Sequence, residues 1–479
     1  MSAETIVVID AGTSNLRAVA VTRDGDVSMI GAESWPMFVP EDTGPYGREL
    51  RIKETRAALR RLIEKAGALG DRVAAIATCG QREGVVFCDE RGDPLLISPN
   101  IDARASAEGM AIDAVHKEEV YRTYGRLPSL IMAPAKMQWL RNDRPRDAEL
   151  VRWVLPLADW LGAELCGERV ISRSLGPEIG VADVRTGEAA GELAGLLPPI
   201  VAEGTIIGTG RCASVERVPV VNAGADTQCA LLGSDACCDG SGAAVVGTTA
   251  AVQMASDRTG EPSTRIWRGL HVVPKLSVLE SNAGEAGSVW SWICAIAGVA
   301  VEDADEHVRS TAAGANDSLA IMGPRSMDAQ AMSAGVGALA FPLPFVMGTP
   351  TRADLLRAVL EGIAFSIRSN WEQIEECHGV NATVRLAGGM SRSIALAEIL
   401  ANVFDRSVVC ARSHHTSSLG AAMLAFAALG RHELPFHLAA DTMAQPWTTV
   451  EPSAKTAAIY EDVYGRWCEA AERLEREPL

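Results

Sequence analysis

Short apolar runs alternate with polar turns through the first part of the chain, a pattern that predicts strands joined by tight turns. Residues 5–9 are β-branched and apolar, residues 10–15 form a polar turn, and residues 16–21 are apolar again. The Asp-Gly dipeptide at 24–25 is a strong hairpin signal. A helical stripe and another apolar run follow, ending at the polar loop of residues 79–84. The pattern therefore predicts a sheet covered by helices, an α/β fold.

The second half of the chain repeats part of this pattern. Residues 243–254 again predict a strand, a turn and a strand, with Gly-Thr-Thr at 247–249. Residues 351–354 form a capping box before an apolar helical stripe, and a later short strand leads into a glycine turn. One such hairpin in each half predicts two related α/β domains, residues 1–236 and residues 237–479, that face each other across a cleft.

The composition narrows the class of protein. The 479 residues are 48% hydrophobic and 22% charged, which is typical of a folded chain. The net charge of −17 argues against nucleic acid or an anionic membrane as a partner. No signal peptide is predicted, and the uncharged run 286–301 is shorter than the ~20 residues that span a membrane, so we expect a buried helix there. Eleven cysteines without a CxxC pair indicate reduced thiols and a cytoplasmic protein.

Asp10, Gly12, Thr13 and Arg17 lie on the first polar turn and the strand after it. Backbone amides and hydroxyls at such a turn hold phosphate oxygens, an Arg adds positive charge, and an Asp at the strand end reaches Mg²⁺ through water. These residues therefore suit a polyphosphate. An ordinary hairpin with a capped turn explains the same residues, so both interpretations stay open.

Two later turns extend the hypothesis to a nucleotide. The turn at 247–249 matches the first turn in kind, and two such turns, one per domain, would clamp a phosphate tail between the domains. The turn at 388–391, Gly-Gly-Met-Ser, leaves room for a flat group or a ribose to approach the backbone. Taken singly, each turn is also explained as a common tight turn.

Asp226 follows an apolar strand, two residues after Gly224. A carboxylate at a strand end beside a cleft can accept the proton of a hydroxyl whose oxygen attacks phosphorus. The alternative is a helix N-cap, because Asp is favoured there and a helix is predicted from Thr227.

Loops of the first domain carry two polar clusters, one at Arg82 and Glu83 and the other at Asn100, Asp102 and Arg104. Such groups suit a polyhydroxylated ligand, since each hydroxyl both donates and accepts a hydrogen bond. Solvated surface loops are the alternative interpretation.

Together these elements resemble the FGGY family of carbohydrate kinases, and the resemblance runs from about residue 5 to residue 430. It lies in the order of eight stretches: DAGTSNLR at Asp10, CGQREG at Cys79, NIDAR at Asn100, NAGAD at Asn222, VVGTT at Val245, RAVLEGIAF at Arg357, LAGGMS at Leu386 and LGAAM at Leu419. The family implies the ribonuclease H-like ATPase fold of actin and hexokinase. In that fold ATP and sugar lie in a cleft between two domains.

The resemblance implies a role for each matching residue. Asp226 would be the catalytic base, and Asp10 together with Asp226 would face Mg²⁺ through water. The residues expected to hold ATP are Thr13, Ser14, Asn15, Arg17, Gly247, Thr248, Gly287, Gly388, Gly389 and Met390. The residues expected to contact the sugar or polyol are Arg82, Glu83, Asn100, Asp102 and Asp226.

Within the family, the chain resembles the autoinducer-2 kinases in the stretches REGVVFCDERGDP, NIDARAS, EEVYRTYGR and ADWL. Those enzymes phosphorylate the linear form of a dihydroxypentanedione-derived signal on its terminal hydroxyl. The chain departs from the family at Asn100, where many members have Trp, and from the autoinducer-2 kinases at residues 335–349, which are far more apolar here. We expect that segment either in the core or on the surface of a homodimer.

The resulting hypothesis is an ATP- and Mg²⁺-dependent kinase of a small linear sugar, polyol or dione. The alternative within the same chemistry is a ketopentose or polyol kinase that acts on xylulose, ribulose, erythritol or glycerol. A nucleotide-gated sugar sensor, or an ATPase without sugar transfer, would use the same nucleotide residues.

Overall fold

The computed structural model describes residues 4–258, 265–331, 336–343, 346, 348–379, 383–430 and 442–476. The strands are β1 (Thr5–Ala11), β2 (Asn15–Thr22), β3 (Val27–Ser34), β4 (Met37–Phe38), β5 (Glu49–Leu50), β6 (Val73–Gly80), β7 (Val85–Cys88), β8 (Pro94–Ser98), β9 (Trp153–Pro156), β10 (Ile171–Ser172), β11 (Ile200–Val201), β12 (Ile206–Thr209), β13 (Pro219–Ala225), β14 (Gly242–Val246), β15 (Thr249–Ser256), β16 (Trp267–Leu270), β17 (Ser277–Glu285), β18 (Leu319–Ile321), β19 (Ala338–Ala340), β20 (Val384–Ala387), β21 (Val408–Ala411) and β22 (Pro446–Val450). The helices are α1 (Ile52–Gly67), α2 (Ser106–Tyr124), α3 (Ala133–Asp143), α4 (Pro145–Leu150), α5 (Leu157–Cys166), α6 (Leu175–Glu178), α7 (Asp226–Gly233), α8 (Gly287–Ala297), α9 (Ala304–Arg309), α10 (Arg352–His378), α11 (Ile394–Phe404), α12 (Thr416–Ala428) and α13 (Ala454–Arg476).

A six-stranded sheet is built from the first half of the chain, in the order β12-β13-β6-β1-β2-β3. β1 and β2 form an antiparallel hairpin in which Asp10 lies opposite Arg17, and β1 runs parallel to β6 with Asp10 beside Cys79. β13 is also parallel to β6 and ends at Ala225. Because the carboxyl ends of parallel strands meet at one edge of a sheet, Asp10, the loop after β6 and Asp226 come together there.

A seven-stranded sheet comes from the second half, in the order β16-β17-β15-β14-β20-β21-β22. β14 and β15 form an antiparallel hairpin, as β1 and β2 do, and β20 runs parallel to β14 as β6 runs parallel to β1. The β14–β15 turn and the glycine turn after β20 therefore share one edge. The predicted pair of related α/β units is confirmed.

Two helices pack against each other where the halves of the chain meet. α12 comes from the last third of the chain, but Leu419 and Phe426 are buried in one cluster with apolar residues of β1 and β6. α7 packs against α12 so closely that a side chain at Gly233 or Gly420 would overlap backbone of the other helix. Residues of α7, α12, β1 and β6 therefore share one buried cluster on the first sheet.

The second sheet is covered by α10, which begins at the predicted capping box. The Thr351 side chain accepts a hydrogen bond from the Asp354 N–H, and the Asp354 side chain accepts one from the Thr351 N–H. Most of α10 is buried against the second sheet and α13.

The uncharged run 286–301 does form a helix, α8, but the expectation that it is buried is wrong for part of its surface. Trp290, Ile293 and Cys294 are buried, whereas Trp292 and Ile296 are exposed. Only one side of α8 packs against the core. An uncharged sequence therefore does not imply that the whole helix is buried. In the described part of the chain, no helix is long and apolar enough to cross a membrane.

The apolar segment 335–349 is also more exposed than one of its two predicted placements requires. Phe341, Leu343 and Val346 are exposed, so the core interpretation is wrong for these residues. The reason is that β19 pairs with β18 in a small two-stranded sheet, apart from the two large ones. Residues 335, 344, 345 and 347 of the segment lie outside the described residues.

Candidate active site

The first polar turn carries an ion pair between a buried carboxylate and a partly exposed arginine. Asp10, near the end of β1, is 2% exposed, and its Oδ2 lies 3.1 Å from Nη2 of Arg17. Burial raises the pKa of Asp10, while the positive charge of Arg17 and an interaction with Ser418 oppose the rise. A Cβ at Gly12 would meet the same guanidinium at 2.9 Å, so the turn approaches Arg17 closely.

Several buried polar atoms around this turn have no hydrogen-bond partner among the described residues. They are Asp10 Oδ1, Arg17 Nε, Asn100 Oδ1 and His415 Nδ1. Buried polar groups are nearly always satisfied in folded proteins, so this concentration indicates a polar ligand between β1 and the first turn of α12. Carboxylate oxygens suit Mg²⁺, and an arginine beside a helix N-terminus suits phosphate. The residues present therefore fit a magnesium polyphosphate.

The loop after β8 is tied to the phosphate turn by hydrogen bonds. Asn100 Nδ2 donates to Thr13 Oγ1 at 3.1 Å, and the Asn100 N–H donates to Gln81 Oε1 at 2.6 Å. Gln81 Nε2 and Trp35 Nε1 both donate to the Gly12 carbonyl oxygen. A predicted substrate residue thus contacts a predicted phosphate residue, which places the two predicted sites next to each other.

The rest of the first turn faces outward. Ser14 is exposed, Thr13 and Asn15 are partly buried, and Ser34 Oγ donates to Asn15 Oδ1 at 3.2 Å. The tip of the turn is therefore open to a ligand.

The second hairpin turn is held against the start of α8. The Gly287 N–H donates to the Gly247 carbonyl oxygen, and the Ala286 N–H donates to the Thr248 carbonyl oxygen, both at 3.0 Å. A Cβ on Gly287 would overlap that Gly247 oxygen, so the close approach requires glycine. The side chain of Thr248 is left exposed.

The glycine turn after β20 packs onto the same hairpin. Gly388 has φ +83°, in the left-handed region, and a Cβ there would meet the Val246 carbonyl oxygen at 2.7 Å. Gly389 has open space around its Cα, and the buried Met390 places its sulfur 3.8 Å from a Cβ built on Gly287. The structure brings these predicted nucleotide residues from three segments to one edge of the second sheet.

Asp226 is the first residue of α7 and follows β13 directly. The N-cap position belongs to Ala225, and Asp226 Oδ1 accepts a hydrogen bond from the Thr227 N–H at 2.8 Å. Burial raises the pKa of Asp226 to about 6, the negative charge of Asp10 adds to the rise, and Arg82 opposes it. A carboxylate with this pKa is ionised at neutral pH and close to the optimum for a general base.

We expect kcat/KM to rise with pH through about 6, because Asp226 accepts a proton only as the carboxylate. Below that pH the rate should fall roughly tenfold per pH unit. A pH–rate profile at constant nucleotide–magnesium concentration measures this limb. A flat profile between about pH 5 and 7 would contradict the assignment of Asp226 as the base.

Arg82 and Glu83 belong to a buried ionic network that joins the two halves of the chain. Both terminal nitrogens of Arg82 donate to the Glu280 carboxylate, and the Nη2–Oε1 distance is 2.9 Å. Arg126 pairs with Glu83 and with Glu178. All five side chains are buried. Because Glu280 lies on β17, the network reaches from a loop beside the first sheet into the second sheet.

The Trp267 ring lies close to both arginines of this network. Its centre is 4.6 Å from the Arg126 guanidinium carbon and 6.0 Å from that of Arg82. On the other side, Glu178 Oε1 accepts a hydrogen bond from Gln228 Nε2 at 2.7 Å. Since Gln228 lies in the first turn of α7, the network extends to the helix that begins with the candidate base.

Asp102 is fully buried, and its carboxylate is bound by the protein itself. It accepts hydrogen bonds from Ser98 Oγ at 2.6 Å, Arg104 Nε at 2.7 Å and the Arg48 N–H at 2.9 Å. This geometry favours a role in holding the loop that carries Asn100. Direct substrate contact by Asp102 stays a prediction.

Sequence reasoning missed Arg126, Glu178 and Glu280, and it left Ser418 without a role. The sequence gives no clear signal for Glu280, because only two apolar residues precede it in β17 and the polar Ser281 and Asn282 follow it. Its partner Arg82 lies 198 residues earlier, so no local spacing connects them.

The paired hairpin turns at the edges of two sheets define the class of ATPases built from two ribonuclease H-like domains. The family model described as FGGY family of carbohydrate kinases, N-terminal domain, matches residues 5–233, and the C-terminal domain model matches residues 242–429. These two matches span most of the chain. The chain belongs to the FGGY family of carbohydrate kinases, and its activity is ATP-dependent phosphorylation of a carbohydrate.

Individual relatives agree with this family. An autoinducer-2 kinase from Salmonella paratyphi B is 26% identical over 458 residues, which cover 89% of this chain and 86% of the relative. The fold is similar to a xylulose kinase from Lactobacillus acidophilus, with a TM-score of 0.85 and 19% identity over 98% of each chain. It is also similar to a gluconate kinase from Lactobacillus acidophilus, with a TM-score of 0.84 and 19% identity over 99% of this chain and 98% of that one.

Proposed function

We propose that this chain transfers the γ-phosphoryl group of ATP to a hydroxyl of a small linear sugar, polyol or dione. The observation that carries the proposal is Asp226 directly after β13, a carboxylate whose pKa burial raises to about 6 and whose charge interacts with Asp10, Arg82 and Glu83. The autoinducer-2 kinase relative favours an autoinducer-2-type dione. The fold shared with a xylulose kinase keeps ketopentoses and polyols as the second candidate class.

On this proposal the substrate hydroxyl lies between Asp226 and the γ-phosphate. Its oxygen forms a bond to phosphorus while its proton passes to the Asp226 carboxylate, and the bond from phosphorus to the β,γ-bridging oxygen breaks to release ADP. Arg17 and the N–H groups of the first turn stabilise the negative charge that spreads over the phosphate oxygens. Asp10 would support a bound Mg²⁺ through water, and the ion would supply positive charge to the phosphate tail.

The nucleotide is assigned to the edges of both sheets. Thr13, Ser14, Asn15 and Arg17 take one side of the phosphate tail, and Gly247 and Thr248 take the other. Gly287, Gly388, Gly389 and Met390 line the nucleoside. The proposal further includes a domain boundary near Ala236, a cytoplasmic location, and a homodimer that covers the exposed apolar residues of segment 335–349.

We expect Asp10→Asn to raise the Mg²⁺ concentration that gives half-maximal velocity by about 10- to 100-fold, the usual effect of weakening a group that supports a bound metal. A magnesium titration at saturating ATP and sugar measures it. Asp24→Asn, a change of the same kind at the tip of the neighbouring hairpin, serves as the control. An unchanged magnesium requirement in Asp10→Asn would exclude Asp10 from the metal site.

The test of the proposed function is coupled ADP production by the purified protein with ATP and Mg²⁺. The panel contains the autoinducer-2 precursor, xylulose, ribulose, erythritol, glycerol and a blank without sugar. Sugar-dependent ADP release that is lost in Asp226→Asn would support the proposal. ADP release without sugar would favour an ATPase, and ATP binding without turnover across the panel would favour a nucleotide-gated sensor.

A further inference from the structure

The charges of the network around Arg82 bear on the kind of substrate that fits there. Arg82 is bound by Glu280, and Arg126 is bound by Glu83 and Glu178, so three carboxylates surround two guanidinium groups. Both cations are therefore already neutralised within the protein. An anionic ligand could pair with either one only by displacing a buried carboxylate, which would be left without a partner, at a high cost.

Lys136 is a third basic residue in the same region, and the number of basic groups still does not exceed the number of acidic groups. Its ammonium group is fully buried and donates to the Glu83 carbonyl oxygen at 3.1 Å. Burial lowers its pKa to about 8. With Asp226 added to the three carboxylates, four acidic groups face three basic ones, so the region offers no excess positive charge for an acid.

Gln253 indicates which polar group the ligand presents. Its Nε2 donates to Glu280 Oε2 at 2.8 Å, and this fixes the orientation of the amide because a carboxylate only accepts. Its Oε1 is then a buried acceptor that has no donor among the described residues. A hydroxyl group of a ligand supplies such a donor, so Gln253 indicates a hydroxylated ligand, and the rejection of acids follows from the charges of the network.

We propose that this site selects an uncharged open-chain polyol, ketose or dione and rejects sugar acids, and that Glu280 sets the selectivity by holding Arg82. The inference rests on the proposed function of the same site. A gluconate kinase shares the fold, so the fold itself admits an acid and the choice depends on side chains such as Glu280. Glu280 is thus a specificity residue that the second sheet contributes to the substrate site.

The test measures binding directly, so that it does not depend on turnover. Calorimetric titration of the full-length protein compares dihydroxypentanedione, xylulose and xylitol with the acids xylonate and gluconate. We expect the wild type to bind at least one uncharged compound roughly 10-fold or more tightly than either acid. We expect Glu280→Gln to shift that ratio toward the acids by roughly 10-fold, because Arg82 then lacks a competing carboxylate.

The control is Glu361→Gln, which removes another buried ion pair in α10, between Glu361 and Arg357, outside the substrate site. It should lower thermal stability and leave the ratio unchanged. Acids that bind the wild type as tightly as uncharged compounds would overturn the inference, as would binding of neither class or an unchanged ratio in Glu280→Gln. Selective binding without any phosphoryl transfer would contradict the proposed function and leave the selectivity standing.

Discussion

Asp226→Asn is expected to lower kcat by roughly 10²- to 10⁴-fold, the range for loss of one general base. The amide keeps the size of the carboxylate and still accepts the hydrogen bond from the Thr227 N–H, so the start of α7 stays in place. What disappears is the group that takes the proton of the attacking hydroxyl. Removal of a partly buried negative charge beside Asp10 should not reduce the stability of the fold, since desolvation and Asp10 already disfavour that charge.

The measurement is steady-state kinetics on the substrate identified in the panel, together with the melting temperature of each protein. Asp235→Asn is the matched control: Asp235 lies just after α7, pairs with Arg385 and has φ +63°, a conformation that Asn tolerates. The control should stay within about twofold of wild type. A kcat for Asp226→Asn in the same range would show that Asp226 is not the base.

Sequence patterns predicted the parts of the fold that short-range signals specify. The β1–β2 and β14–β15 hairpins follow from alternation of apolar strands with Gly-Thr turns, and the start of α10 follows from the Thr351 capping box. The position of Asp226 after an apolar strand also identified the edge at which it lies. Each of these signals is complete within about ten residues, so no tertiary contact was needed to interpret it.

The exposure of α8 and the placement of α12 depend on tertiary contacts, which the sequence patterns do not contain. α8 has no charge and was expected to be buried, but exposed fractions of 52% for Trp292 and 63% for Ile296 reflect a helix with one packed side. α12 begins at Thr416, three residues before the LGAAM stretch, and Ser418 in its first turn interacts with Asp10. Its contact with the first sheet crosses almost the whole chain, which local periodicity cannot report.

The candidate site shows the same division between local and distant contacts. Arg82 and Glu83 were identified as an adjacent pair in one loop, but their role depends on Glu178 at the end of α6 and on Glu280 in the other sheet. Asp102 was assigned to the substrate from its polar loop cluster and from the family resemblance, and only the surrounding donors indicate a structural role. Charge and hydrogen-bond capacity are visible in a sequence, while the partner that uses them is not.

Gly420→Ala is expected to lower the free energy of unfolding by about 2–3 kcal/mol, the cost of forcing extra volume into a close-packed core. A Cβ at Gly420 would overlap the Cys229 carbonyl oxygen and lie 3.0 Å from the Gly233 nitrogen, so α7 and α12 must move apart. Both helices are anchored in the same apolar cluster, and their separation exposes part of it. Because α7 begins with Asp226, we also expect a lower kcat.

Gly465→Ala in α13 is the control that separates this contact from the general effect of the substitution. A Cβ at Gly465 meets nothing within 4 Å, so the change should stabilise the helix by roughly 0.5–1 kcal/mol through the smaller conformational freedom of Ala in the unfolded chain. Denaturant unfolding of both variants gives the two free energies. If both substitutions change the free energy of unfolding in the same direction, the tight contact at Gly420 is refuted. If Gly420→Ala destabilises the protein and Gly465→Ala stabilises it, the α7–α12 contact is the place where packing between the halves of the chain determines the position of Asp226.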